Sequence, residues 1–255
     1  MRINLGGIVH LSTIDWIGEA ATVVFLRGCP LRCPHCQNRS LQAGLSFADL
    51  CLSEGVLKVR NEKPMTRQAT LGSFSYRRRG REGQISAIVL SGGEPLMQPA
   101  AVRALAMLVK REGLLVGLET CGFYPRHLRS LARDGLLDRV FLDLKAPLRD
   151  PDYLRATGVE DVAPRVQESL AICLSEGLPL EVRTTVFPEM PGQGQLEEMA
   201  RFIDEMKVEY PENRLLRFAI QQGRPLEAEF QPIEPEVLEE MARVLGAEFR
   251  LNRKH

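Results

Sequence analysis

Several features that the sequence lacks limit the class of protein it can encode. No apolar run reaches the roughly 20 residues that a membrane-spanning helix needs, and the first residues, MRINLGG, lack the basic-then-apolar pattern of a secretory signal peptide. The 33 lysines and arginines balance 33 aspartates and glutamates, so no net charge draws the chain toward nucleic acid or an anionic membrane. We therefore predict a cytoplasmic protein that binds neither nucleic acid nor a membrane.

The six cysteines do not indicate a disulfide framework, because a cytoplasmic chain of 255 residues is not expected to form one. Three cluster within FLRGCPLRCPHCQN and three stand singly; in chain order they are Cys29, Cys33, Cys36, Cys51, Cys121 and Cys173. This distribution predicts one ligand site and three unrelated thiols. Cys51 and Cys173 fall in helix-like runs, where a thiol is usually a small buried apolar group. Cys121 ends a predicted strand and faces the presumed pocket.

Near-continuous apolar runs alternate with amphipathic stretches through most of the chain. Such runs are typical of parallel strands buried on both faces, and they occupy residues 21–27, 85–91, 114–120, 139–145, 179–186 and 214–221. The stretches between them predict helices at 99–113, 163–177 and 194–208, with another near 47–58. This alternation predicts one α/β domain with a parallel sheet, and six units fit an incomplete barrel better than a closed eightfold one.

Two segments depart from this alternation within the single domain predicted over 1–255. The segment 58–84 is long for a helix-to-strand connection and is basic, with arginines at 77, 78, 79 and 81. It is either a solvated loop or a contact surface for an acidic or protein partner. The segment 233–255 predicts a helix followed by a short extended tail.

Three closely spaced thiolates can bind zinc or an iron–sulfur cluster. Structural zinc needs four ligands, and the nearby fourth candidate is His35, which adjoins Cys36 and would have to bend toward the same ion. A distant cysteine could instead complete a zinc site. A [4Fe–4S] cluster held by only three cysteines leaves one iron with an open coordination position. Because an open position on a metal is typical of catalysis, we favour the cluster.

The spacing Cys-x3-Cys-x2-Cys after a first strand resembles the signature of the radical S-adenosylmethionine superfamily. The stretch SGGEPL at 91–96, which closes the second predicted strand, resembles the Gly-Gly-Glu motif of that superfamily. Gly92 and Gly93 lack Cβ atoms, so the backbone there can approach a ligand closely. The resemblance implies that their carbonyls and the carboxylate of Glu94 meet the ammonium of the cofactor's methionine moiety.

The resemblance also implies a cofactor set and a fold. The open iron of one [4Fe–4S] cluster would bind the amino and carboxylate groups of S-adenosylmethionine. One electron would then cleave the sulfonium to methionine and a 5′-deoxyadenosyl radical, which takes hydrogen from a substrate. The fold would be the partial (β/α)6 TIM-like barrel of the radical S-adenosylmethionine type, with its active site at the carboxyl ends of the strands.

Three further motifs end successive predicted strands: LETCG at 118–122, FLDLK at 141–145 and EVRTTV at 181–186. Together with the cysteine motif they resemble the glycyl-radical-enzyme activases, and among these the activating protein of anaerobic ribonucleoside-triphosphate reductase. The implied partner is a glycyl radical enzyme, which loses a hydrogen from a backbone glycine. The sequence contains no second cysteine cluster, so flavodoxin or ferredoxin is expected to supply the electron.

The same resemblance assigns pocket roles to individual residues. Asp143 and Lys145 match the Asp-Leu-Lys of the activases, and Lys145 would neutralise a carboxylate of bound methionine or product. Arg183 matches an arginine that approaches the polar groups of the cofactor. His35 takes the aromatic position before the last cysteine, which packs near the adenine. Each of these residues read alone would be an ordinary surface or structural residue, and their joint placement at strand ends carries the assignment.

A monovalent cation is also implied by the resemblance. Glu119 and Thr120 stand where the activases have an Asp-Thr pair, which holds the cation together with the strand-four aspartate, Asp143. The glutamate is longer than the aspartate by one methylene, so this chain departs from the pattern at a ligand position.

Two rival functions follow from the same residues. One is a small-molecule radical enzyme such as a 7-carboxy-7-deazaguanine synthase, which would turn over a purified metabolite without a partner protein. The other is a non-enzymatic scaffold, in which zinc or an iron–sulfur cluster has only a structural role.

Overall fold

The structure, a computed structural model, describes residues 2–53, 56–60, 85–212, 216–224 and 230–251, with side chains described outside residues 50–60. Most of the basic segment 58–84, including the arginines at 77–81, therefore lies outside the described residues. No helix in the described parts of the chain is long and apolar enough to cross a bilayer.

The described strands form one sheet of ten strands in the order β10-β9-β8-β7-β6-β5-β2-β1-β3-β4. In chain order they are β1 Arg2–Ser12, β2 Ala21–Leu26, β3 Phe47–Ser53, β4 Val56–Arg60, β5 Ala87–Gly92, β6 Leu115–Thr120, β7 Arg139–Asp143, β8 Leu180–Val186, β9 Arg217–Gln222 and β10 Glu248–Arg250. The run from β2 through β5 to β10 is parallel, whereas β1, β3 and β4 pair antiparallel at the other end.

Six α-helices accompany the sheet within the described residues: α1 Pro99–Arg111, α2 Pro125–Arg133, α3 Asp150–Thr157, α4 Ala163–Ser175, α5 Gln193–Glu209 and α6 Pro235–Val244. Proline opens α1, α2 and α6, where its fixed φ suits the first helical position and its missing N–H would have no partner anyway.

The six predicted parallel strands are confirmed as β2 and β5 to β9, and the helices predicted at 99–113, 163–177 and 194–208 as α1, α4 and α5. The predicted C-terminal helix and extended tail are α6 and β10. These elements form the partial (β/α) barrel that was expected, with β10 as an additional parallel strand at its edge.

The helix predicted near 47–58 is wrong, because this segment forms the antiparallel pair β3 and β4. Its apolar residues repeat every second position as well as at helical spacing, and Gly55 separates two short runs. Pairing of β3 with β1, for example Ile3 with Ala48, selects the strand. Cys51 therefore lies in β3 and not in a helix.

The two faces of the sheet bury different groups. The outer face packs against the helices in one large apolar core, with strand residues Val24, Leu90, Leu118, Val140, Val182 and Phe218. On the inner face, Trp16 from the loop after β1 packs edge-on against Phe141, with ring centroids 5.7 Å apart. A Cβ on Gly117 would lie 3.0 Å from the Trp16 ring, so a glycine there makes room for it. Trp16 thus has a structural role in the core of the inner face.

Candidate cofactor site at the carboxyl ends of the strands

The cysteine motif lies on the loop that follows β2. Cys29, Cys33 and Cys36 are free, half-buried thiols that line one cavity at the carboxyl ends of the parallel strands. The backbone N–H of Cys36 donates to the carbonyl of Cys33 at 3.3 Å, so the last two cysteines share a tight turn. The side-chain amide of Asn38 donates to the carbonyl of Gly92 at 3.0 Å and joins the end of the loop to β5.

The carboxyl end of helix α3 contacts the same loop through a backbone hydrogen bond. The N–H of Arg32 donates to the carbonyl of Thr157 at 2.7 Å, at the last residue of α3. Gly158 follows with φ +67°, and a Cβ there would lie 3.1 Å from the carbonyl oxygen of Arg32. A glycine is therefore needed both for the backbone conformation and for the close approach of the loop.

The chemistry of the three thiols suits a metal cluster. Burial raises the pKa of Cys29 to about 11 and also raises that of Cys33, while the positive charge of Lys145 acts in the opposite direction. The metal-free thiols of Cys29 and Cys33 are therefore protonated at neutral pH, and metal binding to them would release protons. Among the described residues, no three Cys, His, Asp or Glu side chains converge on one point where they could share a single metal ion. Three thiols facing one cavity are the donor set of an iron–sulfur cluster.

Glycine is required at positions 92 and 93, at the end of β5, because the backbone packs closely against another part of the chain there. Gly92 has φ +133°, and a Cβ on it would lie 2.1 Å from the carbonyl oxygen of Leu26. A Cβ on Gly93 would lie 2.3 Å from the carbonyl oxygen of Gly28. The end of β5 therefore passes directly against the chain that leads into the cysteine loop. Both glycines also line the cavity, as expected for residues that let a ligand approach.

Glu94, expected from the sequence to meet the cofactor's ammonium, does not line either cavity. Its carboxylate is fully buried and accepts hydrogen bonds from the N–H of Leu96 at 2.9 Å and the N–H of Cys121 at 2.8 Å. The hydroxyl of Thr120 also donates to both carboxylate oxygens, at 2.9 and 3.0 Å. Burial raises the pKa of Glu94, and these donors act to lower it. The carboxylate thus joins the ends of β5 and β6.

Asp143 and Lys145, at the end of β7, both line the cavity. Their side chains form an ion pair, with Nζ 3.3 Å from Oδ2. Burial alone would lower the pKa of Lys145, but its interactions with Asp143, Cys33 and Cys121 raise it well above its ordinary value. Lys145 is therefore positively charged beside the cysteines throughout the physiological pH range.

Arg183 of β8 is held by three acceptors. Its Nε donates to Glu181 and its Nη1 to Glu119, each at 2.7 Å, and its Nη2 donates to the carbonyl of Asp15 at 2.6 Å. The guanidinium carbon lies 4.0 Å from the ring centroid of Phe141. Burial raises the pKa of Glu119 to about 7, while Arg183 lowers it and Asp15 raises it. Both Arg183 and Glu119 face the cavities.

His35, which lines the first cavity, belongs to an aromatic cluster with Phe187 and Phe230. Its ring lies 4.7 Å from Phe187 and 5.5 Å from Phe230, between centroids, and the two phenylalanines are 5.7 Å apart. The Nδ1 atom of His35 is buried and has no hydrogen-bond partner within the described residues.

Two adjoining cavities, of about 160 and 210 Å³, make up the site. The first contains most of the predicted site residues: Cys29, Cys33, His35, Cys36, Gly92, Gly93, Asp143, Lys145 and Arg183. The second adds Glu119 and Thr120. Of the predicted set, Glu94 lines neither.

Among the residues that sequence reasoning missed are Asp15, Asn38 and Phe187, which line the cavities, and Phe230, which packs against His35. Asn38 follows the cysteine motif directly and Phe187 follows β8, so their positions were visible signals. Asp15 and Phe230 come from segments with no strand-end motif, and only the folded chain brings them here.

A family model for the Radical SAM superfamily matches residues 23–203. The chain belongs to this superfamily, which implies a [4Fe–4S] cluster and S-adenosylmethionine as cofactors. The chain is similar to a candidate glycyl-radical enzyme activating enzyme of Methanocaldococcus jannaschii, with 28% identity over 231 residues covering 89% of this chain and 83% of the relative.

Two other similarities involve different proteins. The chain is 33% identical over 156 residues to the 7-carboxy-7-deazaguanine synthase of Hyperthermus butylicus, covering 55% of this chain and 54% of that protein. The solved structure of QueE from Escherichia coli aligns with this chain at a TM-score of 0.51 and 15% identity. The alignment covers 99% of this chain and 94% of the QueE chain. At that identity the likeness shows a shared fold alone.

Proposed function

We propose that this protein is a radical S-adenosylmethionine activase that generates a glycyl radical on a partner enzyme. The observation that carries the proposal is the convergence of three free thiols, Lys145 and Asp143 on one cavity at the strand ends. The similarity to an activating enzyme over most of both chains supports the choice of an activase within the superfamily.

In this proposal each residue has a defined task. Cys29, Cys33 and Cys36 would hold the [4Fe–4S] cluster through their three thiolates. When bound, the cluster and S-adenosylmethionine supply the reductive cleavage that yields a 5′-deoxyadenosyl radical. Lys145, positively charged beside the cysteines, would bind the cofactor's carboxylate. The aromatic ring of His35, packed with Phe187 and Phe230, would exclude water from the adenine of the cofactor.

The proposed partner is anaerobic ribonucleoside-triphosphate reductase, and the proposed electron donor is flavodoxin or ferredoxin, both in the cytoplasm. The sequence motifs support this partner, whereas the name of the similar activating enzyme specifies no partner. A glycine of the reductase would enter at the mouth of the cavity, which is lined by the ends of β5 to β9.

The decisive test is an electron paramagnetic resonance spectrum of anaerobically reconstituted protein with a reductant, S-adenosylmethionine and the host's reductase. A glycine-centred doublet on the reductase supports both the activity and the partner. 5′-Deoxyadenosine without a doublet retains the radical chemistry and rejects this partner. The absence of both, from protein with an intact cluster, rejects the proposal. The Cys33→Ala variant should hold no catalytic cluster and serves as the negative control.

A second candidate is a 7-carboxy-7-deazaguanine synthase, which the 33% identity to the Hyperthermus butylicus enzyme favours over part of the chain. It predicts S-adenosylmethionine-dependent turnover of a purified small molecule without any partner protein. Saturable turnover of this kind would replace the activase proposal. A non-enzymatic scaffold predicts stoichiometric zinc and no brown chromophore after anaerobic purification, which metal analysis would detect.

A further inference from the structure

The residues that the family resemblance assigns to a monovalent cation do not fit one in this structure. The hydroxyl of Thr120 donates to Glu94, and Oδ2 of Asp143 faces the ammonium of Lys145 at 3.3 Å. Oε1 of Glu119 accepts a hydrogen bond from Arg183 at 2.7 Å. An alkali ion needs such oxygens as its ligands, and here one oxygen of each carboxylate instead faces a positively charged side chain, Arg183 or Lys145.

A cation is nevertheless present among these oxygens, and it is the guanidinium of Arg183. Its side chain is only 8% exposed. It lies between two carboxylates, with Nη1 on Glu119 and Nε on Glu181, and its face packs on the ring of Phe141. A guanidinium is weakly hydrated and planar, so it can be enclosed in this way more readily than a lysine ammonium.

Glu181 holds this guanidinium in position. That carboxylate is 2% exposed and is shared, because its Oε1 accepts from Arg183 and its Oε2 accepts from Arg250 at 3.2 Å. Arg250 does not line either cavity, whereas Arg183 lines both. Glu181 therefore anchors Arg183 with its charge at the wall between the two cavities.

The residue at position 119 completes the arrangement. Glu119 lies near the end of β6, two strands away from Arg183. Its side chain, longer than that of an aspartate, reaches across β7 to bond Arg183. An aspartate would be shorter by one methylene and would withdraw the carboxylate from the 2.7 Å contact. The departure from the family's aspartate, which lengthens the side chain by one methylene, thus lets the carboxylate of residue 119 reach Arg183.

We propose that Arg183 is the resident cation of this site, a covalently attached positive charge that takes the place of an exchangeable alkali ion beside Glu119 and Asp143. This rests on the proposed function, because it assigns how the cofactor site balances its carboxylates. The protein is then independent of potassium and sodium, and the charge at the site cannot be lost by dilution.

The test compares potassium chloride with tetramethylammonium chloride at equal ionic strength, since the organic cation is too large to replace an alkali ion. Anaerobically reconstituted holoprotein is examined at about pH 8, above the pKa of about 7 of Glu119. A cation that binds the folded chain raises its unfolding temperature by mass action. We expect the wild-type unfolding temperature to be the same in both salts. A rise of more than about 3 °C in potassium overturns the proposal.

Variants of the two arginines that share Glu181 sharpen this test. Arg183→Gln should become cation-dependent, so that potassium or guanidinium raises its unfolding temperature. Arg250→Gln is the matched control, because it removes a partner of Glu181 and leaves the cavity charge in place; it should remain indifferent to the salt. If Arg183→Gln does not fold, Glu119→Asp is the milder variant and should gain the same dependence on potassium. A folded variant that responds to neither potassium nor guanidinium overturns the proposal.

Calorimetry of S-adenosylmethionine binding separates this proposal from the proposed function. Affinity that differs by less than about twofold between the salts supports the resident cation. Affinity that is at least tenfold weaker in tetramethylammonium overturns it. If the holoprotein binds no S-adenosylmethionine in any salt, the proposed function fails, and the unfolding measurements still decide the role of Arg183.

Discussion

The side-chain amide of Asn38 donates a 3.0 Å hydrogen bond to the carbonyl oxygen of Gly92. This bond joins the end of the cysteine loop to the end of β5, the two segments whose motifs define the superfamily. Both residues line both cavities. This amide group, together with the N–H of Glu94 that donates to the carbonyl of Gly28 at 2.8 Å, therefore fixes the spacing between the cysteine loop and the end of β5.

Replacing Asn38 by Ala removes the donor and leaves the Gly92 carbonyl without this partner. A hydrogen bond of this kind contributes about 1 kcal/mol, so we expect the affinity for S-adenosylmethionine to fall by roughly fivefold. Calorimetry on the reconstituted protein measures this. Ser40→Ala, at an exposed position on the same loop, should leave the affinity unchanged. Equal affinities of the two variants would show that the Asn38 bond does not set the geometry.

Replacing Gly158 by Ala places a Cβ 3.1 Å from the carbonyl of Arg32 and strains a backbone with φ +67°. The backbone strain alone should lower the free energy of unfolding by about 1–2 kcal/mol. Gly135→Ala is the matched control, since Gly135 has φ +64° and nothing within 4 Å of its Cβ position. We expect Gly158→Ala to lose more stability in urea than the control and to retain less iron after reconstitution. Equal losses and equal iron contents would remove α3 as the support of the cysteine loop.

Replacing Lys145 by Ala removes the positive charge beside the cysteines. A charge-assisted hydrogen bond contributes about 1.5–3 kcal/mol, so the affinity for S-adenosylmethionine should fall by roughly 10- to 100-fold. The iron content should be unchanged, because Lys145 is not a ligand. Lys207→Ala removes a lysine that also pairs with an aspartate, Asp204 at 2.8 Å, on the exposed helix α5, and should have no effect. Unchanged binding in the Lys145 variant would show that another group holds the carboxylate.

The raised pKa of Glu119 predicts a pH dependence of stability. Burial lifts the pKa from 4.5 to about 7 in the folded chain, so the folded state holds this proton more tightly than the unfolded state. The stability contributed by this proton is fully present below about pH 4.5 and is lost as the pH rises through about 7. Relative to Glu119→Gln, the wild type should lose stability over this window by at most about 1.4 kcal/mol per pH unit. Urea unfolding at several pH values measures the difference, and parallel curves would contradict the buried-carboxyl assignment.

Local pattern was sufficient for the parallel half of the sheet and for the cysteine loop. The strands β2 and β5 to β9 are buried on both faces, and that burial leaves near-continuous apolar runs in the sequence. Because parallel strands bring their carboxyl ends to one edge, motifs at successive strand ends had to meet there. This is why Cys33, Asp143, Lys145 and Arg183 could be assigned to one site before any coordinates.

Edge strands and buried polar groups were decided by partners far away in the sequence. β3 is a strand because β1 offers it an edge, and the apolar spacing of 47–58 is compatible with either structure. The carboxylate of Glu94 is buried because the N–H groups of Leu96 and Cys121 are buried beside it and need an acceptor.

The sequence by itself determined which segments form the parallel strands and which residues stand at their ends, since these follow from local spacing and burial, and the resemblance of its motifs indicated the superfamily. The tertiary structure decided which of those residues face the cavity and which bind one another. Arg183 shows the difference: its position at a strand end is written in the motif, but its two carboxylate partners depend on how β6, β7 and β8 pair side by side. Distances between side chains on neighbouring strands are set by the register of the sheet, which no single strand encodes.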